Sequence, residues 1–360
     1  MEVKRRQQIV DKAALLLGSL LLTLAIVEAG FRVLGIEAQY VPERRDELIP
    51  LDGQPAQPLP HGLAANAIYR STYASDPRGY FGEGHRIDHL LNAEGWRGAE
   101  HELGKTPNTF RVLGLGDSYL FGAGVRFEDT VGAQLEAGLT KMMPGRGVEV
   151  INTAVSGYNT RQERDLLVNR GLAYDPDLVI LYFVPNDLEP SRSDTAGDID
   201  FYTNYTAIYM RPDGLSRYSR AWGWARQRFL VAYRARNYIR AMLEDFRDDS
   251  EKWVRTRAAL DDIRRICRTQ KIPLLVVIFP FFHELDGDYP FQPIHDLVRE
   301  HSLAAGIPVL DLRETYRDYS GPELWVHPTD QHPNEIAHGM AAEAILSRLM
   351  DQPTGFGLPR

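Results

Sequence analysis

The chain has 360 residues, 44% hydrophobic and 25% charged, enough to bury one large core and carry appendages. Its formal net charge of −8 argues against a nucleic-acid surface, which draws on clustered Lys and Arg. Cys267 is the only cysteine, so an intrachain disulfide and a CxxC metal knuckle are excluded; set in a helical pattern with Ile263 and Ile266, it reads as a small buried side chain.

Lys4, Arg5, Arg6 and Lys12 precede an uncharged stretch, residues 13–27 (AALLLGSLLLTLAIV). A membrane span usually needs about 20 apolar residues, and residues 28–36 supply the remainder if Arg32 snorkels to the interface. A cleaved signal peptide is the rival reading, but Val27-Glu28-Ala29 makes a poor cleavage site. The basic residues ahead of the segment and the mixed charges after it (Glu43, Arg44, Arg45, Asp46, Glu47) predict a single-pass anchor with a cytoplasmic N-terminus, the rest of the chain lying outside the cytoplasm.

Residues 41–60 carry Pro42, Pro50, Pro55, Pro58 and Pro60, the composition of an extended linker. The expected division is therefore residues 1–36 as N-terminus and anchor, 37–107 as Pro-rich linker and lead-in, and 108–360 as the folded domain. Arg97, in the phrase Asn92-Ala-Glu-Gly95-Trp96-Arg97-Gly98, reads as a surface arginine bracing a turn, with a substrate contact as the alternative.

The chain is organised around FRVLGLGDSYLFGAGV, residues 110–125. Val112, Leu113 and Leu115 predict a strand buried on both faces, and residues 128–143 then read as helical. Ser118 so falls at a strand's carboxyl end, the edge where open parallel sheets bind ligands. Further strands are predicted at residues 148–151, 177–183, 273–279 and 307–310, with helices at 160–173 and 293–304; the alternation implies parallel right-handed crossovers. A last helix is expected to begin at Pro333 and to carry Ile336, Met340, Ala344 and Leu349.

Residues 188–250 break the alternation. They hold Phe201, Tyr202, Tyr205, Tyr209, Tyr218, Trp222, Trp224, Phe229, Tyr233 and Tyr238 among arginines, and read as an insertion leaving the Asn186 loop over the site. Such rings suit a recognition lid for sugar faces or acyl chains, or equally an aromatic mini-core.

The strand ends carry Gly116-Asp117-Ser118, Asn152-Thr-Ala-Val-Ser-Gly157 and Asn186-Asp187, and Asp330-Gln-His332 stands near the C-terminus. In order and spacing these resemble the four sequence blocks of the SGNH, or GDSL, hydrolase superfamily, over roughly residues 109–350. Two departures stand out: Val184 replaces the usual glycine two residues before the asparagine, and the Asp-to-His step is two residues where three is common. The resemblance implies a three-layer α/β/α fold around a flavodoxin-like five-stranded parallel sheet. It also implies Ser118 as nucleophile, His332 as its base, Asp330 as the group orienting the imidazole, and an oxyanion hole of the Ser118 and Gly157 N–H groups with the Asn186 amide. Asp187, His283, His327 and His338 read as structural, and neither a metal nor a cofactor is expected.

The activity so implied is that of a membrane-anchored serine esterase acting on an acyl ester, most simply an acetyl group on an extracytoplasmic glycan. Acyl transfer to a sugar acceptor, lipolysis and, outside enzymes, non-catalytic carbohydrate binding are the alternatives.

Overall fold

The computed structural model describes residues 2–38, 44–51, 58–59, 62–188 and 213–358. It divides into two compact units, Met1–Pro42 with Ala196–Tyr238, and Glu43–Thr195 with Ile239–Arg360.

The first unit contains α1, Glu2–Val33, whose leucines from Leu15 to Leu24 are exposed on every side; it is long and apolar enough to cross a membrane. It also contains the insertion from Asp213 to Tyr238. Phe201, Tyr202, Tyr205 and Tyr209 lie outside the described residues.

The second unit opens with a correction. Part of the stretch expected to be extended linker is a strand, β1 (Arg44–Pro50), pairing antiparallel with β2 (Ala67–Tyr73), which pairs with β3 (Arg86–Leu91). Its prolines do not prevent this: β1 is an edge strand, and Pro50 sits at its end, where a missing N–H costs nothing.

The principal sheet has five parallel strands: β4 (Thr109–Gly116), β5 (Gly147–Asn152), β6 (Leu178–Phe183), β7 (Leu274–Ile278) and β8 (Val309–Asp311). Their spatial order is β8-β7-β6-β4-β5, the flavodoxin-like arrangement. Every residue of β4, β6 and β7 is buried, as continuous apolar runs covered by helices on both faces must be. The connecting helices are α3 (Val131–Met142), α4 (Thr160–Asn169), α6 (Glu251–Gln270) and α7 (Gln292–Ala304), with the one-turn α2 (Ser118–Phe121) following β4 and α5 (Arg220–Asp245) running out of the insertion. The last helix, α8 (Glu335–Asp351), packs on α3, and α6 packs on α4.

The end of the chain also departs from expectation. Pro333 closes a strand, β10 (Asp330–Pro333), which pairs antiparallel with β9 (Trp325–His327). Asn334 rather than proline starts α8, its side chain accepting from the N–H groups of Ile336 and Ala337. The buried face of α8 consists of Ala337, His338, Ala341, Ala342, Ile345 and Leu349, leaving Ile336 exposed.

Candidate active site

Ser118 is presented by a tight strand-to-helix turn. Leaving β4, the chain folds α2 back over the strand, and a Cβ on Gly116 would come within 2.9 Å of the Leu120 Cβ and 3.2 Å of the Tyr182 Cβ. Only glycine allows that approach. Asp117 caps α2 by accepting from Tyr119 N–H at 2.9 Å, and its buried carboxylate also takes Asn186 Nδ2 at 3.1 Å. Burial raises the Asp117 pKa, against the opposing pull of those hydrogen bonds.

Across from the turn, His332 Nε2 lies 2.9 Å from Ser118 Oγ, and His332 Nδ1 lies 2.5 Å from Asp330 Oδ1. With Nδ1–H donated to the carboxylate, Nε2 is left bare to accept from the serine. The two-residue step between Asp330 and His332 has a simple cause. Both stand on β10, where alternate residues share a face, so the aspartate and imidazole point the same way. No kink in the chain is needed to bring the two side chains together.

Asp330 is held from its other side by residues that sequence reasoning missed. Arg44 Nη1 on β1 and the Tyr73 hydroxyl on β2 each donate to Asp330 Oδ2 at 2.7 Å. Arg44 is fixed in turn, its Nε donating to Asp46 at 2.7 Å and its Nη2 reaching the Tyr69 hydroxyl at 3.2 Å. Burial alone would raise the Asp330 pKa, but the adjacent His332, then Arg44 and Tyr73, outweigh it and hold the carboxyl well below the usual range. Burial, and next the Asp330 charge, push the Tyr73 phenol far up, so it stays a donor. Neither partner carries a sequence signal: Arg44 sits in a charged, proline-flanked heptad, and Tyr73 ends an ordinary alternating strand.

The two candidate oxyanion donors come from neighbouring strand ends. The segment after β5 is tied to β4 by Thr153 N–H to Gly114 O and Val155 N–H to Gly116 O, at 3.1 and 3.3 Å, which brings Gly157 to the same edge. Gly157 has φ +84° and open space where a Cβ would stand. Its backbone conformation, as well as access to its N–H, therefore calls for glycine. Asn186 lies in a 3₁₀ turn (Pro185–Leu188) after β6; with one amide N–H given to Asp117, a second remains on the same nitrogen. Val184, in place of the usual glycine, is buried, and its N–H donates to Asp187 Oδ2 at 3.2 Å.

The remaining residues singled out from the sequence lie elsewhere. Arg97 is buried rather than on the surface, and donates to the carbonyls of Phe121, Gly122 and Val125 at 2.9, 2.6 and 2.6 Å, bracing the turn after α2. His327 bridges Ser75 and Thr329, and His338 accepts from Val131 N–H with its pKa lowered by burial to about 3. Asp187 is buried, and Cys267 is buried with its thiol pushed up to about 12. Among the described residues no group of three or more His, Cys, Asp or Glu side chains could hold a metal ion.

Solved structures similar to the chain include a two-domain esterase active on acetylated mannans (14% identity over 70% of this chain and 51% of that one, TM-score 0.43). Others are an acetylxylan esterase from Geobacillus stearothermophilus (16%, 67% and 94%, 0.42) and a lipase/acylhydrolase from Enterococcus faecalis (15%, 68% and 96%, 0.41). The chain thus spans about half the length of the two-domain esterase. No curated protein matches it. The model of the GDSL-like Lipase/Acylhydrolase family matches residues 115–340. Since that match runs from the strand leading into Ser118 to the helix that follows His332, the chain belongs to the GDSL-like lipase/acylhydrolase family.

Proposed function

We propose that the chain is a membrane-anchored serine esterase in which Ser118, His332 and Asp330 act as one proton-transfer unit. The observation that carries this reading is the unbroken hydrogen-bonded chain from Asp330 Oδ1 through His332 to Ser118 Oγ. Ser118 Oγ attacks the ester carbonyl carbon while its proton passes to His332 Nε2. Negative charge collecting on the carbonyl oxygen is met by the Ser118 and Gly157 N–H groups and the Asn186 amide. His332 returns the proton to the departing alkoxide, leaving an acyl-serine. Water, deprotonated by the same imidazole, releases the acid. Asp330, clamped by Arg44 and Tyr73, holds the imidazole in the tautomer that both steps need.

Reaction of the purified protein with a fluorophosphonate, and turnover of a chromogenic acetyl ester, test the assignment: both should vanish in Ser118→Ala while the fold is kept. Wild-type labelling in that variant would move the nucleophile elsewhere. The substrate we propose is a small acyl group, acetyl, on a glycan outside the cytoplasm, the class of ester that a domain held on that membrane face would meet. A panel of esters of rising chain length examines this, and fastest turnover of long acyl chains would favour lipolysis.

Residues 1–36 are proposed as the anchor, with the N-terminus cytoplasmic on the strength of Lys4, Arg5, Arg6 and Lys12 ahead of the apolar run. Protease added to the outside of intact spheroplasts should degrade the hydrolase domain; its protection there would reverse the orientation.

A further inference from the structure

The unit formed by the anchor and the insertion contains a contact that the esterase reading does not use. Glu28, directly after the apolar run, accepts from Ser219 Oγ at 2.8 Å and from the backbone N–H groups of Arg220 and Ala221 at 3.1 Å each. Its carboxylate therefore caps the first turn of α5, where the helix dipole favours negative charge. Arg32, ion-paired to Glu28 at 2.7 Å, donates to Tyr218 O at 2.8 Å, and the Phe31 ring meets Trp224 edge-on at 5.5 Å. The last turns of α1 and the first turn of α5 are thus one packed junction.

Depth follows from chemistry. A carboxylate at the end of an apolar span is costly in hydrocarbon and is tolerated where hydrogen bonds and a counter-charge meet it, at the headgroup boundary. The donors that meet Glu28 belong to the start of α5, so that start lies at the boundary too.

The composition of α5 suits that position. Trp222, Phe229 and Tyr233 follow one another at steps of seven and four residues, which at 3.6 residues per turn places them within about 40° on one helix face. All three are exposed, as are Tyr218 and Leu215 just ahead of the helix. Phe229 and Tyr233 stack at 6.2 Å, and the Arg228 guanidinium lies over the Trp224 ring at 5.3 Å. Between Arg220 and Leu243 the sequence has six arginines and no acidic residue. Two of the arginines are paired, Arg220 with Glu37 at 3.6 Å and Arg226 with Asp213 at 3.3 Å, but positive charge is still in excess along the helix. Aromatic rings that tolerate both oil and water, combined with such an excess, are the make-up of a segment lying in a bilayer surface.

We propose that the exposed face of α5 from Trp222 to Tyr233 rests on the membrane, with its rings at headgroup level and its arginines on anionic phospholipid. The chain then grips the bilayer twice, by a span and by a surface helix. This rests on the reading of α1 as a span, and the experiment separates the two claims. The full-length protein, with Cys267→Ala, is reconstituted in vesicles of phosphatidylcholine with phosphatidylglycerol. A nitroxide is attached after Phe229→Cys, Leu20→Cys or Val168→Cys, and its exposure to dissolved oxygen is compared with exposure to a water-soluble nickel chelate.

The Leu20 label should be oxygen-rich and shielded from nickel, and the Val168 label, on exposed α4, the reverse. The Phe229 label should fall between the two, richer in oxygen and better shielded from nickel than the Val168 label, and should move toward the Val168 values in phosphatidylcholine alone or after Arg228→Gln with Arg236→Gln. A Phe229 label as nickel-accessible as the Val168 label, with Leu20 still shielded, overturns the surface helix and leaves the span intact; that stripe would then be free to bind a protein. A nickel-accessible Leu20 label overturns the span and the proposal with it. A Phe229 label equally shielded with and without anionic lipid overturns the role given to the arginines.

Discussion

Replacing Asp330 with asparagine changes one atom and should nearly silence the enzyme, for a reason visible in the hydrogen bonds. The carboxylate receives three side-chain donors, His332 Nδ1 on Oδ1 and both Arg44 Nη1 and the Tyr73 hydroxyl on Oδ2, besides the His332 backbone N–H on Oδ1 at 3.3 Å. An amide has only one oxygen to offer. Arg44 and Tyr73, one charged and the other a permanent donor, should claim it, which turns the NH₂ toward the imidazole. His332 Nδ1 must then accept, its proton moves to Nε2, and Ser118 faces a donor where it needs a base. A wrongly held tautomer of this kind costs about 10² to 10⁴-fold in kcat, or about 3 to 5 kcal/mol of barrier. Substrate contacts are untouched, so KM should hardly move. The assay is steady-state turnover of a chromogenic acetyl ester by Asp330→Asn at neutral pH, alongside a melting curve. A kcat within a few-fold of wild type, whatever happens to the melting temperature, would refute the reasoning and leave Asp330 a brace for its hairpin.

Arg44→Gln should lower kcat/KM about tenfold, near 1.4 kcal/mol, and shift the acidic limb of its pH profile upward, because a positive charge facing the site is gone; Arg44→Lys should restore part of both. Lower thermal stability with an unmoved pH profile would make Arg44 merely structural. Asn186→Ala should cost about 3 kcal/mol of transition-state stabilisation, mainly in kcat; a rise in KM alone would place the amide on bound substrate instead. Glu163, on α4, is buried with both carboxyl oxygens unpartnered, and burial, followed by the nearby Asp117 charge, pushes its pKa well up. The unfolded chain ionises it above about pH 4.3 while the folded chain keeps it protonated, so its effect lowers stability as pH rises, by up to about 1.4 kcal/mol per unit. The melting temperature of Glu163→Gln relative to wild type should accordingly climb between pH 5 and pH 8, and a constant difference would show that the glutamate is ionised in the fold.

The sheet was legible because its strands are buried on both faces. Runs such as 178–183 and 274–278 are apolar throughout, and their ends are marked by Ser118, Gly157 and Asn186, residue types that the chemistry restricts. Legibility stopped where structure depends on distant partners. Arg44–Pro50 has two arginines, two acids and a proline, and becomes a strand because Ala67–Tyr73 is there to pair with it. The clamp on Asp330 was hidden for the same reason. Pro333 fits a first helical turn as well as it fits a strand end, and the choice was made by Asn334, a stronger cap that stands one residue later. Arg97 looked like a surface residue because nothing local reveals three carbonyls converging on it from the turn after α2.

The pairing of Arg44 with Asp330 joins residues 286 positions apart, and that of Tyr73 with Asp330 residues 257 apart; Ser118 and His332 are separated by 214. Contacts of such span form late, because the loops they close must first lose their freedom. As the chain emerges N-terminus first, the strands carrying Arg44 and Tyr73 are made early and must wait for the final hairpin, and Ser118 waits with them. Ser118 would consequently stay inert throughout synthesis. Recovery of esterase activity during refolding should trail the recovery of helical signal, and a chain cut short before Asp330 should be inactive however well its sheet has formed.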